Sequence, residues 1–378
     1  MTEPVRPAQS LAWHRLDADL FARAQTLLDE EWLARDADLA PMLPVVLARG
    51  VGQDWHKAGT FRHHLVGVAR SLAQWRQPKD IRLLGLLHSV YGNAFVDLVK
   101  FDASSERAHL QTLIGEQAEH LVYLFCTMSR TQFVQKLLAG ELAADGRLTL
   151  EKNGPEPRQS LTLTAYEVAA FAIVSMADSI EQWFSWQEDI YSRFPAVDAG
   201  RPQGVHWAAS LWPGPMRPSS RMLSQISALG HALQHPALKN QLPLPPVFAD
   251  CSRPLTAGDE AAATALYWSV IQQDMPLVDL DVATATLEQA VRLNPWVGEP
   301  QMVLAQLYLS AGRQPEAAQA AESALQCFSA WGNAWDKRVQ WDAWIAWTRI
   351  LLQSAQQTSW PARLDKLNNL ALRSAPSA

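Results

Sequence analysis

The stretch GLLHSVYGN, residues 85–93, ends an amphipathic segment that begins after Pro78 and carries apolar residues at helical spacing. Proline is favoured in the first turn of a helix, so the sequence predicts a helix from residue 79 to about residue 92. His88 lies near the end of this helix, and histidine is the commonest metal ligand. Ser89 and Tyr91 follow it, and both are candidate catalytic residues if His88 belongs to a functional site.

Other segments also have apolar residues at helical spacing. Residues 19–36 and 59–75 are amphipathic, and residues 165–186 are apolar almost all round, which is typical of a helix at the centre of a core. Residues 147–164 differ, because two alternating strands flank the Asn-Gly-Pro sequence of residues 153–155, and this pattern predicts a hairpin. The predicted fold is mainly α, with a small β-hairpin insertion.

Four of these segments, in this order, resemble signature segments of the HD superfamily of metal-dependent enzymes. They are HHLVGVARSLAQW (63–75), LLGLLHSVYGN (83–93), LIGEQAEHLVYLF (113–125) and IVSMADSIEQW (173–183). The resemblance covers residues 60 to about 185, and its segment order is most similar to the hydrolase domain of RelA/SpoT-type alarmone enzymes. It implies an HD-like helical domain in which His64, His88 and Asp178 stand at metal-binding positions.

The chain departs from that family at the position where the family's chemistry needs carboxylates. Ser89 stands at the aspartate of the His-Asp pair, and Gly92 and Asn93 stand where the alarmone hydrolases have an acidic pair. A carboxylate there would orient and deprotonate the attacking water, which neutral Ser and Asn side chains do poorly. The sequence therefore argues against alarmone hydrolysis and against a two-metal centre.

The ligand set that remains is two imidazoles and one carboxylate, from His64, His88 and Asp178. Such a set suits non-haem Fe(II), and three protein ligands with a water also suit catalytic Zn²⁺ or Mn²⁺. We expect one divalent metal ion, with Fe or Mn favoured. His56 and His120 are candidate extra ligands, whereas a helical residue adjacent to a ligand, such as His63, points about 100° away.

A structural explanation exists for each of these residues. A histidine on an apolar helix is more often a satisfied core or surface residue than a metal ligand. Four acidic residues of the domain are predicted to be solvated helix faces, namely Glu119, Glu181, Glu188 and Asp189. Cys126, in an apolar helix, is predicted to be a buried and inert thiol.

The C-terminal third carries a repeat pattern between residues 287 and 328. Ala290 and Asn294-Pro295 resemble the end of a tetratricopeptide repeat, and small residues alternate with large ones through the next repeat. Four tryptophans follow at residues 335, 341, 344 and 347. They form either a cap that docks the repeats onto the first domain or an aromatic binding groove, and the cap is favoured. The charged residues between them, Asp336, Lys337 and Arg338, are predicted to lie on a helix rim.

Composition sets the domain organisation and the partners. We expect an N-terminal helical extension packing on the HD-like domain (1–58), the HD-like domain (59–240), a Pro-rich linker (241–259) and tetratricopeptide-like repeats with a Trp-rich cap (260–378). The net charge of -6, without a basic stripe, argues against nucleic acid. No apolar run reaches the roughly 20 residues that a membrane span needs. Three scattered cysteines indicate a reduced, cytoplasmic setting.

Two functions are consistent with these patterns. The first is a mononuclear metal-dependent enzyme acting on a small molecule or a peptide, with oxidative chemistry favoured over hydrolysis. The second is a metal-free scaffold whose helical repeats bind a partner protein.

Overall fold

The structure is a computed structural model that describes residues 16–56, 59–92, 98–151, 160–182, 222–248, 254–272 and 279–361. In these ranges the chain is mainly helical, which confirms the mainly α part of the predicted fold class. The described parts of residues 26–255 form one compact unit, and those of residues 1–25 and 256–378 form another. No helix in the described ranges is both long and apolar enough to cross a membrane.

The first unit contains the predicted HD-like region. Its helices are α2 (Trp32–Arg35), α3 (Met42–Ala48), α4 (Phe61–Gln74), α5 (Lys79–Leu87), α6 (Arg107–Ile114), α7 (Glu116–Thr127), α8 (Arg130–Leu138), α9 (Ala165–Gln182) and α10 (Met222–Ala232), while α1 (Ala18–Leu27) crosses the boundary between the units. Its strands form two antiparallel pairs, β1 (Trp55–His56) with β2 (Gly59–Thr60), and β3 (Leu148–Glu151) with β4 (Ser160–Leu163).

Helix α9 lies at the centre of this unit. Every residue from Val168 to Asp178 is buried, and the helix packs against α4, α5 and α10. A helix that is apolar almost all round needs neighbours on several sides, so its position agrees with its sequence. The predicted hairpin is also present as β3 and β4, with Leu148 paired to Leu163, although residues 153–155 lie outside the described residues.

Helices α4 and α5 have clear local signals at their starts. The Thr60 side chain accepts a hydrogen bond from the backbone N–H of His63, which caps α4. Pro78 precedes the first residue of α5, and the helix ends at Leu87, so that His88 follows its last turn. Helix α5 therefore places His88 at a helix end, one of the positions where backbone groups remain available to side chains.

Ion pairs connect residues 36–49 to later parts of this unit. Arg82 of α5 contacts Asp36 and Asp38, and the Arg49 guanidinium lies 2.8 Å from the Glu106 carboxylate. At the other end, residues 241–248, the first part of the predicted Pro-rich linker, pack against this unit. Phe248 is buried against Gly230 of α10, where a Cβ atom would lie 2.3 Å from the phenyl ring.

The second unit consists of consecutive helices that pack in chain order. They are α11 (Ala257–Ile271), α12 (Leu280–Leu293), α13 (Glu299–Ser310), α14 (Gln314–Trp331) and α15 (Trp341–Gln357), each packed against the next. Gly312, between α13 and α14, has φ +74°, a conformation that favours glycine. The small residues Ala317, Ala321 and Ala324 are fully buried. The likeness to tetratricopeptide repeats stays a prediction.

The tryptophan cluster of this unit is largely buried. Trp335, Trp341 and Trp344 are buried, and the indole N–H groups of Trp341 and Trp344 donate to backbone carbonyls. These side chains therefore pack within the unit, and the choice between a cap and a binding groove stays a prediction. The prediction that Asp336 lies on a helix rim is wrong, because its side chain is fully buried and accepts a hydrogen bond from Tyr267.

Candidate metal centre

Three elements bring the predicted ligands together. His64 lies on α4, His88 follows α5, and Asp178 lies on α9, and all three side chains are buried. Nε2 of His64 lies 3.2 Å from Nε2 of His88 and 3.2 Å from Oδ1 of Asp178. Nε2 of His88 lies 3.6 Å from the same carboxylate oxygen. The three ligand atoms therefore point at one another.

Gly85 explains how α4 and α5 approach closely enough for this contact. A Cβ atom on Gly85 would lie 2.1 Å from Cδ1 of Leu72 on α4. The carbonyl oxygen of Gly85 also accepts a hydrogen bond from Nδ1 of His88, at 2.8 Å. Because that bond uses the Nδ1 proton, Nε2 of the neutral ring carries its lone pair towards His64 and Asp178.

Glu181 is the partner of the other histidine. Its Oε2 lies 2.5 Å from Nδ1 of His64, one turn along α9 from Asp178. The side chain of Glu181 is 22% exposed, so the prediction that it forms a solvated helix face is wrong. Gly67 makes room for it, because a Cβ atom there would lie 2.8 Å from Cγ of Glu181.

Asp178 has two further contacts. The Arg130 guanidinium donates to Oδ2, and Nε2 of Gln182 donates to Oδ1 at 2.6 Å. The same amide nitrogen lies 3.1 Å from Nε2 of His64. Arg130 in turn lies over the ring of Phe125. These contacts hold the carboxylate in one orientation, with Oδ1 towards the histidines.

Electrostatics set different protonation states for the two histidines. Burial lowers the pKa of His88 to about 4, so its ring is neutral at pH 7. Burial also opposes the charged form of His64, but Glu181 and Asp178 outweigh it and raise its pKa to about 9. Burial would raise the pKa of Asp178, yet Arg130 holds it well below its usual range. An ion binding here would therefore displace a proton from His64.

The donor set fits a divalent transition metal. Ligand atoms that each lie about 2 Å from an ion and subtend a right angle at it are about 3 Å apart. The separations of 3.2, 3.2 and 3.6 Å come close to this value without an ion. In the described ranges, His64, His88 and Asp178 are the group of histidine, cysteine and acidic side chains that meets the distance requirement for an ion.

A cleft of about 1040 Å³ leads to these residues. Its described lining consists of Trp55, His56, His64, His88, Ser89, Leu98, Arg130, Thr131, Val134, Gln135, Leu138, Ser175, Asp178, Ser179, Gln182, Met222 and Gln225. A volume of this order accommodates a small molecule. An ion at the three ligands would consequently have one side towards the cleft.

The other predicted site residues have varied positions. Ser89 lines the cleft, and the ring of His56 lies 4.6 Å from that of His64. Nε2 of His120 instead lies 3.1 Å from Glu167, on the exposed part of α7. His63 is exposed and contributes to the cap of α4. Asn93, Glu188 and Asp189 lie outside the described residues.

Tyr91 does not line the cleft. Its hydroxyl donates to Oε1 of Glu119 at 2.9 Å, and Arg107 and Gln111 bind the same carboxylate. Glu119 is fully buried, so the prediction of a solvated helix face is wrong for this residue too. Cys126 is buried as expected; burial raises the pKa of its thiol to about 12.

Sequence reasoning missed Arg130, Glu181 and Gln182. Arg130 follows the helix cap Ser129 and has no motif around it. Glu181 and Gln182 did carry a signal, because residues three and four positions after Asp178 lie on the same face of a helix. The small residue Gly67, three positions after His64, was a second signal, since it marks a close approach on that face.

Comparison with known proteins adds a family likeness over part of the chain. A family model described as a domain of unknown function (DUF6817) matches residues 45–130, from within α3 to the first residue of α8. The match includes His64 and His88 and ends before Asp178. Neither the curated proteins nor the solved structures include a significant match to the chain.

Proposed function

We propose that this protein is an enzyme built around one divalent metal ion, held by His64, His88 and Asp178. The observation that carries the proposal is that each ligand has its own outer partner: Glu181 for His64, the Gly85 carbonyl for His88, and Arg130 for Asp178. Metal-binding histidines almost always donate their second ring nitrogen to a carboxylate or a backbone carbonyl. Both types of partner are present here.

The ligand types favour oxidative chemistry. Two imidazoles and one carboxylate suit Fe(II) or Mn(II), which, when bound, supplies redox chemistry and open positions for a substrate and O₂. Hydrolysis would also need a group that deprotonates water. Asp178 is the sole carboxylate among the described residues that line the cleft, and Arg130 already binds its second oxygen. Hydrolysis is therefore the second choice.

The groups around the three ligands have different roles. Glu181 and the Gly85 carbonyl orient the two rings, so that both Nε2 atoms face the ion. Arg130 fixes Asp178 and places a positive charge beside the cleft. Burial of the three ligands keeps bulk water away from their far sides. The substrate, a small molecule or a peptide, would approach along the cleft lining.

A metal-free scaffold is the alternative, and one observation favours it. Without an ion, Gln182 donates to Asp178 and contacts His64, and His64 contacts His88, so these polar atoms have partners within the protein. In that case the polar side chains of the pocket would only stabilise the fold. The helices from α11 to α15 would recruit a partner protein.

Metal addition to chelator-treated protein distinguishes the two. Fe(II) added without oxygen, or Mn(II), should raise the melting temperature in proportion to the logarithm of ion concentration, because an ion that binds the folded state stabilises it by mass action. With ascorbate as reductant, the Fe(II) protein should then consume O₂ faster than a His88→Ala variant. A melting temperature that neither ion changes would favour the scaffold.

A further inference from the structure

One row of cleft-lining side chains on α8 changes from charged to apolar. Arg130, Val134 and Leu138 follow at intervals of four residues, so their side chains line one face of the helix. Arg130 stands beside Asp178, and Leu138 lies about 12 Å further along the helix axis. The charged end of this row therefore faces the ligand residues, and its other end is apolar.

Further apolar side chains line the cleft. Leu98, Met222 and Trp55 line the same cleft, and Trp55 is 56% exposed. A large aromatic side chain in that position leaves apolar surface in contact with water. A ligand with an apolar chain would remove this surface from water as it binds.

At the end of the cleft beside Asp178 and Arg130, the charges favour binding of an anion. In the described lining, Asp178 is the one acidic side chain, and it is paired with Arg130. A divalent ion would leave positive charge in excess there, even with Glu181 behind His64. An anionic group on the ligand would balance that excess, and a carboxylate can bind both a metal ion and a guanidinium.

We propose that the cleft binds a carboxylic acid with an apolar chain, its carboxylate at the metal ion and Arg130 and its chain along Val134 and Leu138. The carboxylate part of this inference rests on the proposed function, because it uses the ion. The apolar part rests on α8 and the neighbouring lining alone. A binding measurement, which needs no turnover, tests both the carboxylate part and the apolar part.

The test is calorimetric titration of the full chain, loaded with Mn(II), with octanoate, butyrate and 1-octanol. Octanoate should bind at least about tenfold more tightly than butyrate, because four further methylenes become partly buried. It should also bind at least about tenfold more tightly than 1-octanol, which has the chain without the carboxylate. Equal affinity of octanoate and butyrate, or of octanoate and 1-octanol, would overturn the proposal.

Two matched variants test where the apolar chain of the ligand binds. Leu138 and Leu113 are 39% exposed each and lie on helices α8 and α6, but Leu113 is not part of the lining. Leu138→Glu should weaken octanoate binding at least about tenfold, and Leu113→Glu should change it less than twofold. An effect of the same size from both variants, or from neither, would overturn the placement along α8.

If the proposed metal centre does not exist, the same titration gives a different result. If the protein takes up no ion, octanoate is titrated onto the ion-free chain, where Arg130 and the apolar lining remain. Binding that Leu138→Glu removes would then support the ligand class while the metal proposal fails. Absence of octanoate binding to both forms of the protein would overturn the ligand class.

Discussion

Oε2 of Glu181 lies 2.5 Å from Nδ1 of His64, while Nε2 of the same ring faces His88 and Asp178. The contact joins two residues 117 positions apart in sequence, from α4 and α9. It directs one ring nitrogen to a carboxylate and the other to the candidate ion. This is the arrangement in which an outer carboxylate orients a ligand and raises its basicity.

The first prediction concerns Glu181 itself. Glu181→Gln should lower metal affinity by about 10- to 100-fold, because loss of an outer partner typically weakens a metal site by that factor. The measurement is competition with a coloured chelator. Glu167→Gln is the control, since Glu167 lies on the same helix and contacts a different histidine, His120, at 3.1 Å. Equal affinities for the two variants would contradict a positioning role for Glu181.

The second prediction concerns the approach of α4 to α5. Gly85→Ala should destabilise the protein by about 1–3 kcal/mol, because the new methyl group overlaps Leu72. It should also lower metal affinity, since the two helices carry His64 and His88. Thermal unfolding and metal titration measure the two effects. Gly52→Ala, whose Cβ would meet its nearest neighbour at 3.5 Å, should change neither.

The third prediction separates Tyr91 from the metal centre. Tyr91→Phe removes one donor to Glu119 and leaves Arg107 and Gln111, so it should cost about 1 kcal/mol of unfolding free energy. Metal content and ascorbate-dependent O₂ consumption should be unchanged. The competing expectation, from the sequence, is that Tyr91 acts as a catalytic acid or base, and a large loss of O₂ consumption at normal metal content would support that role instead.

The fourth prediction concerns pH dependence in the second unit. Burial raises the pKa of Glu299 to about 7, although the backbone N–H groups of Trp335 and Asp336 donate to its Oε1. Between the ordinary pKa of 4.5 and about 7, the unfolded chain has lost the proton and the folded chain keeps it, so stability falls as pH rises. The accumulated loss is about 3 kcal/mol above pH 7.

Glu299→Gln tests this directly. The amide oxygen of glutamine can still accept from both N–H groups, and it does not titrate. Denaturant unfolding followed by tryptophan fluorescence should therefore show a smaller fall in stability from pH 4.5 to pH 8 in the variant than in the wild type. Parallel pH profiles for the two proteins would contradict the raised pKa.

The sequence was sufficient to predict the helical fold, the hairpin and the convergence of His64, His88 and Asp178. Helices and strands follow from local periodicity, which a single sequence contains. The convergence followed from the order of segments resembling a known superfamily, and the structure places the three residues together. The tight spacing of α4 and α5 had a visible signal in Gly85, the first residue of the stretch that contains His88.

The buried charges were the part that the sequence did not reveal. Glu119, Glu181 and Asp336 were predicted to face solvent, because acidic residues usually do. Each is buried or half-buried with a partner distant in sequence: Arg107 for Glu119, His64 for Glu181, and Tyr267 for Asp336. Such pairing depends on tertiary contacts between elements, which local patterns do not contain.

Metal content is the most direct test of the central proposal, that His64, His88 and Asp178 hold one divalent ion. Wild-type protein, His88→Ala and the control His120→Ala are reconstituted with Fe(II) or Mn(II), freed of excess ion and submitted to elemental analysis. We predict close to one ion per chain for the wild type and for His120→Ala, and almost none for His88→Ala. A wild type without metal, or a His88→Ala variant that retains the full amount, would contradict the account.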